Sequence, residues 1–109
     1  HNNIENLKTI LNSINKENQK EKRILIVTEG IFSMDGDVPP IKEIIKLKEQ
    51  HQTLLLLDEA HSFGIIGESG KGFAHRENCI KGVDFLMTTF GKSAGAAGSV
   101  TVSSWKPSA

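Results

Sequence analysis

Two short apolar runs limit what this chain can fold into. Arg23-Ile24-Leu25-Ile26-Val27-Thr28 and Thr53-Leu54-Leu55-Leu56-Leu57 are too short for independent helices, and each stops at polar residues, Glu29-Gly30 after the first and Asp58 after the second. Continuously apolar segments of this length read as strands buried on both faces of a parallel sheet. Between them, Ser33-Met34-Asp35-Gly36-Asp37 is turn chemistry. Pro39-Pro40 then prepares a helix start, because proline is tolerated in a first turn whose N–H groups lack partners. Ile41, Ile44, Ile45 and Lys48 fall on one face of that helix, with Lys42, Lys46 and Glu49 outside. A strand, a helix and a second parallel strand make a right-handed crossover, so the expected class is α/β, a mostly parallel sheet with flanking helices.

The rest of the chain extends this pattern. Ile4, Leu7, Leu11 and Ile14 predict an amphipathic helix that runs into a charged connection from Lys16 to Arg23. Gly64, Gly67, Gly70 and Gly72 predict a loop after the second strand. Asp84-Phe85-Leu86-Met87-Thr88-Thr89 reads as a third strand and Ala97 to Ser103 as a fourth. There is no internal repeat and no low-complexity tract.

Composition narrows the function. With 13 Lys+Arg against 13 Asp+Glu in 109 residues, the chain has no basic field to draw nucleic acid or an anionic membrane. Its aliphatic runs fall far short of the roughly 20 residues needed to cross a bilayer. The absence of Tyr excludes a tyrosine acid, base or nucleophile. Cys79 is the one cysteine and cannot form an internal disulfide, so a reducing, cytoplasmic setting is the simpler expectation. The chain starts at His1 without a Met, and residues 1–109 are expected to be a single partial domain of a longer protein.

In open α/β sheets, ligands bind beyond the carboxyl ends of the strands, which directs attention to Glu29–Ser33, Asp58–His61 and Thr88–Lys92. Asp58 at the tip of a buried strand needs a donor or cation to offset its desolvation. Taken alone, it serves equally as a cap for the next turn or as a ligand contact, and His61 equally as a hydrogen-bonded structural residue. Asp58-Glu59-Ala60-His61 also matches a helicase Walker B segment, but the P-loop G-x-x-x-x-G-K-[ST] that must accompany it is missing. Gly70-Lys71 comes nearest, with Ile65 in place of the first glycine and Gly72 in place of Ser or Thr. Nor do Cys79, His51, His61 and His75 have the spacing of zinc ligands.

Lys92 lies in Thr88-Thr89-Phe90-Gly91-Lys92-Ser93-Ala94-Gly95-Ala96-Ala97-Gly98, among the smallest side chains of the chain. By itself this could be a small-residue loop with an exposed lysine. Alternatively, a lysine held there and partly desolvated becomes the nucleophilic amine that Schiff-base chemistry needs. Combined with an acidic strand tip and a histidine three residues on, it forms the constellation expected for pyridoxal phosphate. Lys92 would bind the cofactor aldehyde and Asp58 would hold the pyridine nitrogen protonated. Thr89 would offer its hydroxyl to the phosphate, with Ser33 and His61 near the ring hydroxyl.

Glu29-Gly30-Ile31-Phe32-Ser33-Met34-Asp35-Gly36-Asp37, Asp58-Glu59-Ala60-His61-Ser62-Phe63-Gly64 and Thr89-Phe90-Gly91-Lys92, in that order, resemble the α-oxoamine synthases. These are pyridoxal-phosphate enzymes of the aspartate-aminotransferase fold, fold type I. The likeness runs from His1-Asn2-Asn3 to about Val102 and leans toward the 8-amino-7-oxononanoate synthase branch of biotin biosynthesis. It implies a homodimeric acyltransferase that condenses an amino acid with an acyl-CoA or acyl-carrier thioester, with decarboxylation, to an α-aminoketone. It also implies that Lys92 is the Schiff-base lysine and, once released, the general base and acid. Asp58, His61, Ser33 and Thr89 take the cofactor-binding roles, His61 a catalytic one as well, and no metal is implied.

The same resemblance places the family's ring-stacking histidine and phosphate loop before this stretch, and its small C-terminal domain after it. The stretch then corresponds to the central part of the cofactor-binding large domain. Ser93-Ala94 and Gly98-Ser99 depart from the commoner family residues, which keeps other α-oxoamine synthases open as relatives. A non-catalytic fragment is the reading from a different class.

Overall fold

The computed structural model describes residues 3–16, 23–32, 36–89 and 99–103. In chain order the elements are α1 (Ile4–Lys16), β1 (Leu25–Glu29), α2 (Ile41–His51), β2 (Leu54–Asp58), α3 (Phe73–Arg76), β3 (Phe85–Thr89) and β4 (Ser99–Ser103). Single 3-10 turns at Glu68–Gly70 and Ile80–Gly82 interrupt the stretch between β2 and β3. The strands lie side by side in the order β1-β2-β3-β4. The first three run parallel and β4 returns antiparallel to β3, which makes the sheet mostly parallel, as the apolar runs predict.

The crossover from β1 to β2 follows from local chemistry. Phe32 N–H donates to Asp37 O at 3.0 Å and Gly36 N–H to Phe32 O at 2.8 Å, while residues 33–35 of the expected turn lie outside the described residues. Gly36 supplies its positive φ of 68°. Pro40 sits at the N-cap of α2 and its carbonyl accepts Ile44 N–H at 3.1 Å, so proline occupies the end where its missing donor costs nothing. Ile41, Ile44 and Leu47 form the buried stripe of α2. Lys48 also turns inward, as its place on the stripe predicts: its Nζ lies 3.1 Å from Asp84 Oδ2 and donates to Gly82 O at 2.8 Å. Asp84 is therefore not the first residue of the third strand. Its carboxylate accepts Leu55 N–H at 2.8 Å, tying the approach to β3 to β2 before the ladder begins.

The core lies on one side of the sheet. Leu11 of α1, the α2 stripe, and Phe73 and Ala74 of α3 cluster with Ile26, Leu55 and Leu57. Leu55 and Leu57 are fully buried, each contributing roughly 1.5–3 kcal/mol of burial. The expectation that β1 is buried on both faces is not met: Leu25 is 47% and Val27 62% exposed. Alternation along a strand sends them to the face opposite Ile26, and the helical apolar residues gather on the Ile26 side. No helix among the described residues is long and apolar enough to cross a membrane.

Candidate functional site

The parallel register sets the strand ends in a row. Glu29 is the partner of Asp58, and Asp58 of Met87, so Glu29, Asp58 and, two residues past Met87, Thr89 share one face at the carboxyl end of the sheet. This is the open face that carries Leu25 and Val27. Asp58 Oδ1 accepts Ala60 N–H at 2.8 Å and its carbonyl accepts Gly30 N–H at 2.9 Å. Asp58 thus caps the turn that follows it and still stands half-buried at the sheet end. His61, also half-buried, lies in that turn.

Thr89 differs in being unsatisfied. Its Oγ1 and that of Thr88 are buried, and neither has a hydrogen-bond partner among the described residues. An orphaned buried hydroxyl costs about 1–3 kcal/mol. Thr89 faces the Asp58 side and Thr88 the opposite one. The structure therefore gathers Asp58, His61 and Thr89 at one edge of the sheet, while Ser33 and Lys92 lie outside the described residues. A shallow cleft of about 220 Å³ between α1, β1 and α2, lined by residues such as Leu7, Ile26 and Phe32, includes none of the three. Among the described residues no group of three or more His, Cys, Asp and Glu is placed to hold a metal ion.

Beneath this edge lies a network that motif reading passes over. Glu59 is 1% exposed, and its Oε1 accepts Ala74 N–H at 2.8 Å. Burial pushes its carboxyl above the usual glutamate range, with hydrogen bonds from the Ala74 and Phe73 amides and the Ser62 hydroxyl pulling the other way. Ser62 is fully buried. Gly30 presses on this group so closely that a Cβ there would stand 2.8 Å from Ser62 Oγ and 2.9 Å from Phe73 Cβ. The available sequence signals were the second acid directly after Asp58 and the last glycine of the loop, Gly72, before Phe73. Elsewhere, Cys79 belongs to the buried core cluster, and burial raises its thiol pKa, helped by the nearby Glu77 and Glu59 charges.

These features can be set beside known proteins. The model of the family described as aminotransferase class I and II matches residues 1–105. The chain belongs to that family. Among its members, a protein of Neisseria meningitidis serogroup A provisionally named 8-amino-7-oxononanoate synthase is 45% identical over 103 residues, 94% of this chain and 26% of its own length. A Haemophilus influenzae protein with the same provisional name matches to the same extent. A solved serine palmitoyltransferase from S. paucimobilis with a bound PLP–myriocin aldimine superposes with a TM-score of 0.84 at 37% identity, covering 94% of this chain and 26% of that one. The Sphingomonas wittichii serine palmitoyltransferase superposes at 0.81 and 36% identity, over 94% of this chain and 25% of that one.

The family resemblance read from the three motifs is thus borne out, together with the fold-type-I α/β architecture. Pyridoxal phosphate, the cofactor expected from the residues, is also what the S. paucimobilis structure holds. The aminotransferase-family chain spans about a quarter of the length of the curated relatives it matches.

Proposed function

We propose that this stretch is the central part of the cofactor-binding large domain of a longer, cytoplasmic, homodimeric acyltransferase of the α-oxoamine synthase type. Its activity would join an amino acid to an acyl-CoA or acyl-carrier thioester, forming a carbon–carbon bond with loss of the amino-acid carboxylate as CO2 and of the free thiol. The observation that carries this reading is the pairing of Asp58 with the orphaned hydroxyl of Thr89 on one face at the sheet's carboxyl end, in a chain similar to enzymes of this type over 94% of its length.

Pyridoxal phosphate, when bound, supplies an electron sink for negative charge developing at the amino-acid α-carbon. Each residue of the chain then has a definite task. Asp58, its Oδ1 fixed by Ala60 N–H, keeps a proton on the pyridine nitrogen. Thr89 donates its hydroxyl to the phosphate, gaining the acceptor it otherwise lacks. His61 and Ser33 orient the ring hydroxyl. The Lys92 amine anchors the cofactor and, when released, takes the α-proton and returns one.

Within the type, the identity to the Neisseria and Haemophilus proteins favours 8-amino-7-oxononanoate synthesis, with alanine and a pimeloyl thioester as substrates and biotin biosynthesis as the setting. The superposition on serine palmitoyltransferases favours a second reading, another member of the type. A panel of amino acids against acyl-CoA and acyl-carrier thioesters, run with the full-length protein and read by CO2 and free-thiol release, separates them. Turnover of alanine with pimeloyl thioester supports the first, and turnover confined to serine with long acyl chains supports the second. Release of neither free thiol nor CO2 from any pair would overturn the acyltransferase reading.

A further inference from the structure

We infer that Glu59 is a positioning residue for the cofactor site, holding the turn that presents Asp58 and His61. The inference rests on the reading of Asp58 and His61 given above. Glu59 lies between those two residues in sequence, yet its side chain turns away from their edge into the core, where it is 1% exposed. A carboxylate is costly to bury. If packing were its only task, an apolar residue of similar volume would serve as well or better.

Its contacts indicate what the carboxylate does instead. On the side-chain end, Ala74 N–H donates to Oε1 at 2.8 Å, and the Ser62 hydroxyl donates to the Glu59 carbonyl at 3.5 Å, so one residue closes the long excursion that leaves β2 and returns at α3. On the main-chain end, Glu59 N–H donates to Met87 O at 2.7 Å, and its carbonyl accepts Ser62 N–H at 3.1 Å and Phe63 N–H at 2.9 Å. The residue is gripped by β3 and α3 and by its own turn.

Two glycines make room for this arrangement. Gly72, at φ +101°, would place a Cβ 2.5 Å from Glu59 Oε2, and Gly30 abuts Ser62 and Phe73. The end of β1, the turn after β2 and the start of α3 therefore interlock around a single carboxylate. Asp58 is directly bonded to the turn so held, through Ala60 N–H at 2.8 Å, and His61 is part of it. Loss of the Glu59 bonds frees that turn to tilt, moving both cofactor-facing side chains without removing either.

The test uses the full-length protein carrying Glu59→Gln, Glu59→Ala, Ser62→Ala or, as a control distant from the turn, Leu47→Ala. Pyridoxal-phosphate affinity is measured by titrating the apoprotein, the pH midpoint of the bound cofactor's absorption is followed, and amide exchange is read at residues 60–63 of the apoprotein. Glu59→Ala should weaken affinity by about tenfold or more, as loss of outer-shell partners does elsewhere, shift the midpoint and speed exchange. Glu59→Gln, whose amide oxygen still accepts Ala74 N–H, should stay within about threefold of the wild type, a change of less than one ordinary hydrogen bond. Leu47→Ala should lower the melting temperature and leave affinity, midpoint and exchange in place.

A Glu59→Ala protein that melts lower yet binds with wild-type affinity and midpoint would overturn the inference. If that variant does not fold, Ser62→Ala decides, with a smaller loss of affinity supporting the inference and none overturning it. If the wild type binds no pyridoxal phosphate, the reading of the site fails, and exchange at residues 60–63 still tests positioning: acceleration supports it and wild-type rates overturn it.

Discussion

On one face of the sheet, Ile26, Leu55 and Leu57 are 8% exposed or less and packed under α1, α2 and α3. On the other, Leu25 is 47% and Val27 62% exposed, and that face carries Asp58 and Thr89 at its carboxyl end. Glu59, turned into the core, accepts Ala74 N–H at 2.8 Å, whereas the Thr89 hydroxyl, like that of Thr88 on the core side, has no partner among the described residues. On the proposed reading the division separates stability from chemistry: the helical side holds the fold, and the open side carries the groups proposed to meet the cofactor, Asp58 and Thr89. Substitutions on the first should therefore appear in folding, and on the second in cofactor binding.

The sharpest contrast is between Leu57→Ala and Val27→Ala, compared by denaturant midpoint in the full-length protein. Leu57→Ala should cost about 2–5 kcal/mol, as truncation of a fully buried leucine does, while Val27→Ala should cost less than about 1 kcal/mol. A large loss at Val27 would show that further chain covers the open face. Next in size is Gly72→Ala. Its positive φ and the crowding by Glu59 Oε2 should cost about 1–3 kcal/mol, read as a lower melting temperature of the apoprotein.

Thr89→Val should separate the two properties. Removing an orphaned hydroxyl should leave the apoprotein as stable as before or up to about 1 kcal/mol more so, while pyridoxal-phosphate affinity falls. A loss of both would place Thr89 with the structural face. The smallest effect concerns pH. The native Glu59 carboxyl is raised by burial, so the folded state holds its proton more tightly than the unfolded one. That contribution is complete below the ordinary glutamate value and is lost as pH rises through the raised native value. Denaturation midpoints across this interval should fall with pH in the wild type and flatten in Glu59→Gln.

How much of this was readable in advance depended on how local the cause was. The strands announced themselves through Ile24–Val27 and Leu54–Leu57, and α2 through Pro40 and its isoleucines, because period and capping are properties of adjacent residues. The third strand begins one residue after Asp84, whose carboxylate answers to Lys48 and Leu55, both remote in sequence. The bare face of β1 was equally hidden: an apolar run records what a strand can bury, and what covers it belongs to other segments. The placement of Asp58, His61 and Thr89 at the sheet's carboxyl end was legible from their positions after strands. Glu59 was not, since its partners at Phe73 and Ala74 are brought to it only by the returning loop.

The most direct test of the account is chemical trapping at Lys92. The full-length protein is incubated with pyridoxal phosphate, reduced with borohydride and digested, and its peptides are mapped by mass spectrometry. The account predicts a pyridoxyl-phosphate adduct on the peptide containing Lys92, absent in Lys92→Ala and weakened in Asp58→Asn. Wild-type protein that carries no adduct, or carries it on a different lysine, would contradict it.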